Sequence, residues 1–548
     1  MLLSNMELLA TAPGGVANLR ELILTLAVQG KLVPQDPADE PAGMLLQKIR
    51  AEKDRLMAEG KIKRDKPLAE IGEEEKPFDL PVGWEWVRLG DVVEVLDSLR
   101  KPVTKEDRKP GPYPYYGASG IVDYVSAYIF DEPLVLVGED GAKWGAGDKT
   151  AFPVCGKSWV NNHAHVLRPL RAALADMYLV SYLTARDLSE FITGMTVPKL
   201  NQARLISIPV ALPPLSEQSR IVTRVEALMR LCDALEAKGQ LEATQHAQLV
   251  STLLGTLTAS TTPEELAANW QRVAQHFDLL LDRPEAIDAL EQTLLQLAVR
   301  GLLVPQDPTD EPASALLQKI RTEKDRLIAT GQIKRDKPLP PITDEEKPFE
   351  LPVGWEWVRV GDVVELLNGY AFKSEWFKPA GVRLLRNVNI SHGHVDWSVP
   401  VMLDAIAAKS YEQFALRAGD IVLSLDRPII STGLKYAVIR DSDLPCLLLQ
   451  RVARLTACAC LSSEFLQLWL KSDLFVGTID PGRSNGVPHI STKQVAGLAF
   501  ALPPLAEQSR IVTRVTALRR LCADLRQRLA DRQSVQARLA EALVKEVA

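Results

Sequence analysis

Apolar residues recur at steps of three and four behind two Pro-Pro dipeptides, at Ile221, Val225, Leu228, Cys232 and Leu235, and again at Ile511, Val515, Leu518, Cys522 and Leu525. This is the stripe of an amphipathic helix entered just after a proline. The stretches that carry it, ALPPLSEQSRIVTRVEALMRLCDAL (Ala211–Leu235) and ALPPLAEQSRIVTRVTALRRLCADL (Ala501–Leu525), agree at 20 of 25 positions. The helical pattern continues from Pro214 to about Ala259 and from Pro504 to about Val547. At ~1.5 Å per residue each helix is expected to reach roughly 65 Å. Gly239 and Gly255 are the weak points of the first, where it could kink.

A longer repeat precedes each helix. Leu24–Leu96 matches Leu295–Leu367 at about three quarters of positions with a constant offset of 271, Trp84 falling on Trp355. The helix repeat is offset by 290, Ala211 falling on Ala501, so the second half has gained 19 residues between its shared blocks. Within the blocks Val16–Gln29 and Ala286–Arg300 are helical in pattern and stop at Gly30 and Gly301. Ala42–Ala58 and Ala313–Ala329 form a second, charge-rich pair. The polar, proline-containing stretch that follows (KRDKPLAEIGEEEKPFDLP in the first copy) reads as a linker. Between the shared blocks, Asp97–Ser207 and Asn368–Gly497 show little similarity. Short β-rich runs at Leu134–Val137, Val160–Leu167, Ile421–Leu425 and Tyr436–Ile439 predict mixed α/β domains there.

The expected fold is therefore α/β in the α+β sense, with six segments. These are a helical region (1–80), a first variable domain (81–210), a long helix (211–260), a helical region and linker repeating the first (261–351), a second variable domain (352–500) and a closing long helix (501–548). Two long stripes need partners. Packing the helices on each other as an antiparallel coiled coil satisfies both and gives a pseudo-twofold molecule with its variable domains held apart. The alternative is two local helices, each covering its own domain.

Composition adds bounds. The length suits several domains, and 46% hydrophobic with 24% charged residues is that of an ordinary globular protein. The start, MLLSNMELLATAPGG, lacks the basic flank of a signal peptide, and six scattered cysteines read as core residues of a reducing compartment, so a cytoplasmic location is expected. The net charge of −6 speaks against a nucleic-acid partner. Its distribution removes the objection: Pro81–Leu212 carries 14 basic and 15 acidic residues, and Pro352–Leu502 carries 15 and 14, so the acidic excess lies in the shared segments.

The layout resembles the specificity subunit of type I restriction–modification systems. The resemblance rests on LPVGWEWVRLGDV (Leu80–Val92) opening each variable domain, ALPPLSEQSRIV closing it, and TVPKLN (Thr196–Asn201) and GVPHIS (Gly486–Ser491) just before the close. Lys199 stands in the first copy where His489 stands in the second. The resemblance implies a non-catalytic subunit, each domain reading one half of a split, asymmetric double-stranded DNA target. It also implies two methyltransferase subunits and restriction/translocation subunits as partners, no membrane, and no cofactor of its own, with S-adenosylmethionine, ATP and Mg on the partners. The alternative class is a coiled-coil scaffold whose variable domains bind proteins.

No Asn/Asp-Pro-Pro-Tyr/Phe, G-x-x-x-x-G-K-[ST], H-E-x-x-H or paired C-x-x-C occurs, so no catalytic or metal constellation is expected. His163/His165, His392/His394 and Cys458/Cys460 are single alternating pairs, read as strand residues or DNA contacts. Basic groups neutralise phosphates, and Arg, Asn and Gln read base edges. The first domain's candidates are Arg100, Lys101, Lys105, Arg108, Lys109, Tyr113, Tyr115, Tyr116, Lys143, Trp144, Lys149, Asn161, Asn162 and His163. The second's are Lys373, Arg386, Asn387, Asn389, Arg427, Lys435, Arg483 and Asn485. For subunit docking the candidates are Glu217, Arg220 and Arg224 with Glu507, Arg510 and Arg514.

Overall fold

A computed structural model of the chain describes residues 6–59, 68–194, 196–260, 262–330, 338–430, 433–479 and 489–547. It divides into two compact units, residues 1–243 with 531–548, and residues 244–530. The predicted helices form with their predicted ends: Gly15–Val28, Ala42–Ala58, Pro284–Val299, Ala313–Ala329, and the long helices Leu215–Ala259 and Leu505–Val547. Gly239 and Gly255 do not interrupt the first long helix.

In each unit the variable domain is closed at its root. Strand Glu85–Arg88 pairs antiparallel with Pro209–Leu212, and Glu356–Arg359 pairs with Ala499–Leu502, so entry and exit lie side by side. The start of the following helix locks this root to the preceding block. Glu217 accepts from Trp84 Nε1 at 3.0 Å and from Gln35 Nε2 at 3.2 Å, and Arg220 is paired with Asp39 at 2.6 Å. The second unit repeats the arrangement with Glu507, Trp355 (3.0 Å), Gln306 (3.2 Å), Arg510 and Asp310 (2.6 Å). Gln218 and Gln508 turn the other way, each holding three backbone groups of its own unit. Gly30 closes the corner. Its φ is +70°, and a Cβ there would stand 2.5 Å from Pro81 Cγ and 2.9 Å from Trp84 Cζ2, so backbone and packing both require glycine.

The stretch read as a linker is tethered where it is described. Arg88, 6% exposed, donates to the carbonyls of Ala69 (2.9 Å), Glu70 (2.9 Å) and Ser207 (2.6 Å) and to both oxygens of Glu75 (2.7 and 2.8 Å). Arg359 does the same with Pro340, Pro341, Gly497 and Glu346. Proline and charge spell an extended backbone here; the buried guanidinium makes it part of the domain.

The helix stripes find other partners than each other's copies. In the first unit Ile221, Val225 and Cys232 share a core with the root strands and with Ala540 near the end of the last helix. In the second, Val250, Leu254 and Leu257 share a core with Cys522, Leu529 and the helix Pro284–Val299. Ile511 and Val515 pack into the second domain's own core. Each long helix thus covers its own domain with its first turns and meets the other long helix further along. Both expected arrangements hold, on different stretches of one stripe.

The two variable domains, so unlike in sequence, share a sheet. In the first the order is Val93–Val95, Ala164–Pro169, Leu134–Gly138, Ala151–Val154, all antiparallel. In the second it is Val364–Asn368, Val452–Ala457, Ile421–Ser424, Tyr436–Val438, again antiparallel, with a fifth, parallel strand His392–Gly393 outside. The central strand is buried along its length in both. The run expected at Val160–Leu167 is two strands, broken by a turn at residues 161–163.

Candidate nucleic-acid interface

At one edge of the first domain lies a cleft of about 680 Å³ lined by Val103, Lys105, Arg108, Tyr115, Asp123, Asn161, Asn162 and His163 among others. Lys101, Lys105, Lys109, Lys143, Lys149, Asn162 and His163 are exposed. Arg108 stacks 4.4 Å above the Tyr115 ring and pairs with Asp123 at 3.2 Å, which fixes its guanidinium at the cleft wall. The candidate Tyr113, half-buried, meets Tyr128 edge to face at 5.1 Å under the Lys157 ammonium; exposed Tyr128 and Lys157 are not among the sequence candidates.

Other candidates of this domain belong to its framework. Tyr115 is 1% exposed with its hydroxyl on Val103, and Trp144 is buried with Nε1 donating to the Gly138 carbonyl at 3.1 Å. Half-buried Tyr116 packs on Phe152, and Asn161 spends its side-chain oxygen on the His163 N–H at 2.8 Å. Arg100 turns inward to Glu139 (2.5 Å), Asp97 (3.3 Å) and the Ala164 carbonyl (2.7 Å). These side chains are too occupied to read bases.

Asp97, Glu139 and His165 form the single group among the described residues with three ligand-type atoms mutually within 4.8 Å. Its carboxylates already carry cations. Burial pushes the Glu139 carboxyl up, and hydrogen bonds from Lys199 and Arg100 more than offset it, leaving it below its ordinary value. His165 is fully buried between Asp97 (2.5 Å) and the Leu200 carbonyl (2.7 Å). The chemistry of this set is that of a paired polar core.

In the second domain Lys373 and Arg427 are exposed and Asn387 is half-buried. Asn389, 2% exposed, holds the Asp396 carbonyl, and Arg386 is bound to the Val399 carbonyl at 2.6 Å. Lys435 is 8% exposed, and burial pushes its ammonium pKa down. Arg483 and Asn485 lie outside the described residues. Arg451, absent from the sequence candidates, is 64% exposed and donates to Asp426 at 2.8 Å. Arg427 (φ +47°) and Arg451 (φ +68°) are the non-glycine residues with positive φ among the described ones, and they flank the same aspartate. Arg427 is among the sequence candidates; no sequence signal marks Arg451, because the topology brings it to the same aspartate.

Of the docking candidates, Glu217 and Glu507 are 1% exposed inside the root. Arg220 and Arg510 are held by Asp39 and Asp310. Both pairs serve the chain's internal frame. Arg224 and Arg514 remain exposed. No helix among the described residues is long and apolar enough to cross a membrane.

Comparison with known proteins agrees with this layout. The family model for the type I restriction modification DNA specificity domain matches residues 81–245 and 352–532, one match on each variable domain and the helix behind it. The chain is 46% identical over 552 residues to the type I restriction enzyme EcoAI specificity subunit of Escherichia coli, covering 96% of this chain and 93% of that one. It is 34% identical to the EcoEI specificity subunit of the same organism, with 96% and 93% covered. With a duplicated root, two sheets of one topology and matches over nearly the full length, the chain belongs to the type I restriction–modification DNA specificity family.

Proposed function

We propose that this chain is the DNA sequence-specificity subunit of a type I restriction–modification complex, each variable domain reading one half of a bipartite, asymmetric double-stranded target. The observation that carries the reading is the contrast between root and edge. Two domains of one topology stand on near-identical roots, yet their exposed polar groups differ. That is the construction expected of two interchangeable readers of different sequences. The edge of the first domain offers lysines, Asn162 and His163 to a polyanion alongside exposed Val122.

The chain itself supplies no reacting group. Methyl transfer and restriction belong to methyltransferase and restriction subunits, which would bring S-adenosylmethionine, ATP and Mg. The long helices would set the half-site separation, about one helical turn or roughly 10 bp for readers on one DNA face, and Arg224 and Arg514 are the exposed basic groups left for subunit docking. Because the two readers are nearly neutral, the partner subunits would contribute much of the phosphate contact. The isolated chain is expected to bind its target weakly and the assembled complex tightly.

Exchanging Asp97–Ser207 for the same region of a relative, followed by sequencing of methylated bases in a host carrying the complex, tests the proposal. One half of the methylated motif should change and the other stay. An unchanged motif would refute it.

A further inference from the structure

The central strands Leu134–Gly138 and Ile421–Ser424 end in the same construction. Two residues beyond each lies an aspartate, Asp140 in the first domain and Asp426 in the second. The N–H just before it, of Glu139 or Leu425, donates to the carbonyl of His163 or Arg451, at 2.9 Å in both domains. His163 and Arg451 each directly precede the strand that pairs with the central one. The carbonyls of Glu139 and Leu425 accept from Leu200 (2.8 Å) and Ile490 (3.0 Å) of the closing motif. Both side chains then turn onto the aspartate: His163 Nδ1 meets Asp140 Oδ1, and Arg451 Nη1 donates to Asp426 Oδ2 at 2.8 Å. The anchors are largely buried, with side chains 20% and 12% exposed, while His163 and Arg451 are 51% and 64% exposed.

We propose that His163 and Arg451 are the equivalent specificity-determining residues of the two domains, each held by its aspartate to read one base pair of its half-site. The proposal rests on the reading of these domains as DNA readers. An exposed side chain anchored by a buried carboxylate has already lost the rotamer freedom that binding would cost, which is how a recognition group is preorganised. The anchors also determine what is offered. In the neutral ring with Nδ1–H donated to Asp140, His163 presents Nε2 as an acceptor, which complements the exocyclic amine of cytosine or adenine. Arg451 uses one N–H on Asp426 and keeps the rest of its fork, the complement of guanine O6 and N7. Around this tip the polar neighbours differ in kind. Lys199 sits on Glu139 at 2.8 Å, and His489 Nδ1 lies 2.9 Å from Asp426 Oδ1 with exposed Arg427 alongside, groups suited to flanking phosphates. The positive φ of Arg427 and Arg451 places the strained backbone of this domain at the same tip, as functional sites often do.

The test uses the chain assembled with its methyltransferase subunits and a panel of duplexes altered one base pair at a time across both half-sites. Arg451→Ala should lower the preference for guanine at one position of the second domain's half-site by about 5- to 150-fold, the value of one good bidentate contact. Preferences in the other half-site should stay as they were. Arg451→Lys, which keeps the charge and the fold but not the fork, should lose the same preference. His163→Ala should act only on the first domain's half-site. Unchanged preferences, or an equal loss at every position of both half-sites, would overturn the assignment. If exchange of Asp97–Ser207 changes a half-site while His163→Ala does not, the assignment alone fails; if the exchange changes nothing, the underlying reading fails with it.

Discussion

Arg88 offers a test of how the frame is built, because the chain contains its own control in Arg359. Replacing Arg88 by Met keeps most of the apolar stem but removes the guanidinium's bonds to Glu75 and to the carbonyls of Ala69, Glu70 and Ser207, leaving Glu75 with the Gly72 N–H at 2.9 Å. Ala69 and Glu70 are exposed, so their carbonyls rehydrate, as does the one-third exposed Glu75 carboxylate. The loss is then less than for a fully buried pair, and we expect about 3 kcal/mol. For a unit of this size that is about 6–12 °C in melting temperature. Hydrogen exchange resolves the cause: peptides covering residues 68–80 should lose protection in Arg88→Met, and those covering 339–351 in Arg359→Met, with no crossover. Acid provides a second reading. The Arg88 hydrogen bonds hold the Glu75 carboxyl at about 2, against an ordinary 4.5. Its contribution is therefore complete above pH 4.5 and fades as the pH falls toward 2, a slope that Arg88→Met should flatten. Unaltered exchange over residues 68–80 in Arg88→Met would refute the reasoning.

Three further outcomes follow from the same structure. Glu217→Gln leaves one acceptor for two donors, Trp84 and Gln35, and should cost about 1–3 kcal/mol in chemical denaturation; burial holds the Glu217 carboxyl above its ordinary value, so the native chain should lose stability as pH rises through that value, and the variant should not. Lys471 is pushed down to about 8, first by burial and then by Arg519. Lys471→Met should raise the melting temperature at pH 7, with the gain shrinking as pH rises from 8 to 10.5, because the native lysine's penalty disappears there. Inserting seven residues into each long helix preserves the stripe's register and adds about 10 Å, roughly three base pairs; methylome sequencing should find a longer spacer between two unchanged half-sites.

The helices were legible because a stripe, a proline before it and a glycine after it act locally, and all six predicted spans end within two residues of the observed ones. The root was half legible. The repeat announced that Glu217, Arg220 and their copies matter, but a charged residue on a helix reads as surface until Trp84, Gln35 and Asp39 are brought to it from more than a hundred residues away. The linker failed for the same reason, since nothing local to residues 68–76 foretells Arg88. At the candidate interface, composition pointed to polar and basic stretches but could not sort Asn162 from Asn161, adjacent residues of which one is exposed and the other is spent on the turn. Arg451 carried no signal at all. It directly precedes the strand Val452–Ala457, and that strand's pairing with the distant Ile421–Ser424 delivers it to Asp426.

The equivalence of the two tips does not make their residues interchangeable. Arg451 reaches Asp426 from a left-handed backbone at φ +68°, and His163 is not among the residues with positive φ. An arginine grafted at position 163 would leave the turn along a different direction, and its longer stem would carry the guanidinium past Asp140. Conversely, the turn before His163 is fixed by Asn161, whose oxygen accepts from the His163 N–H, a bond the second domain does not repeat. Each reader is thus coupled to its own turn, and neighbours this close do not change independently. The root strands, by contrast, pair the same way in both units with the same Trp–Glu and Arg–Asp bonds behind them. Strong coupling inside the tip and near-identity at the root together favour exchanging specificity by whole domain, which is the arrangement the duplicated chain displays.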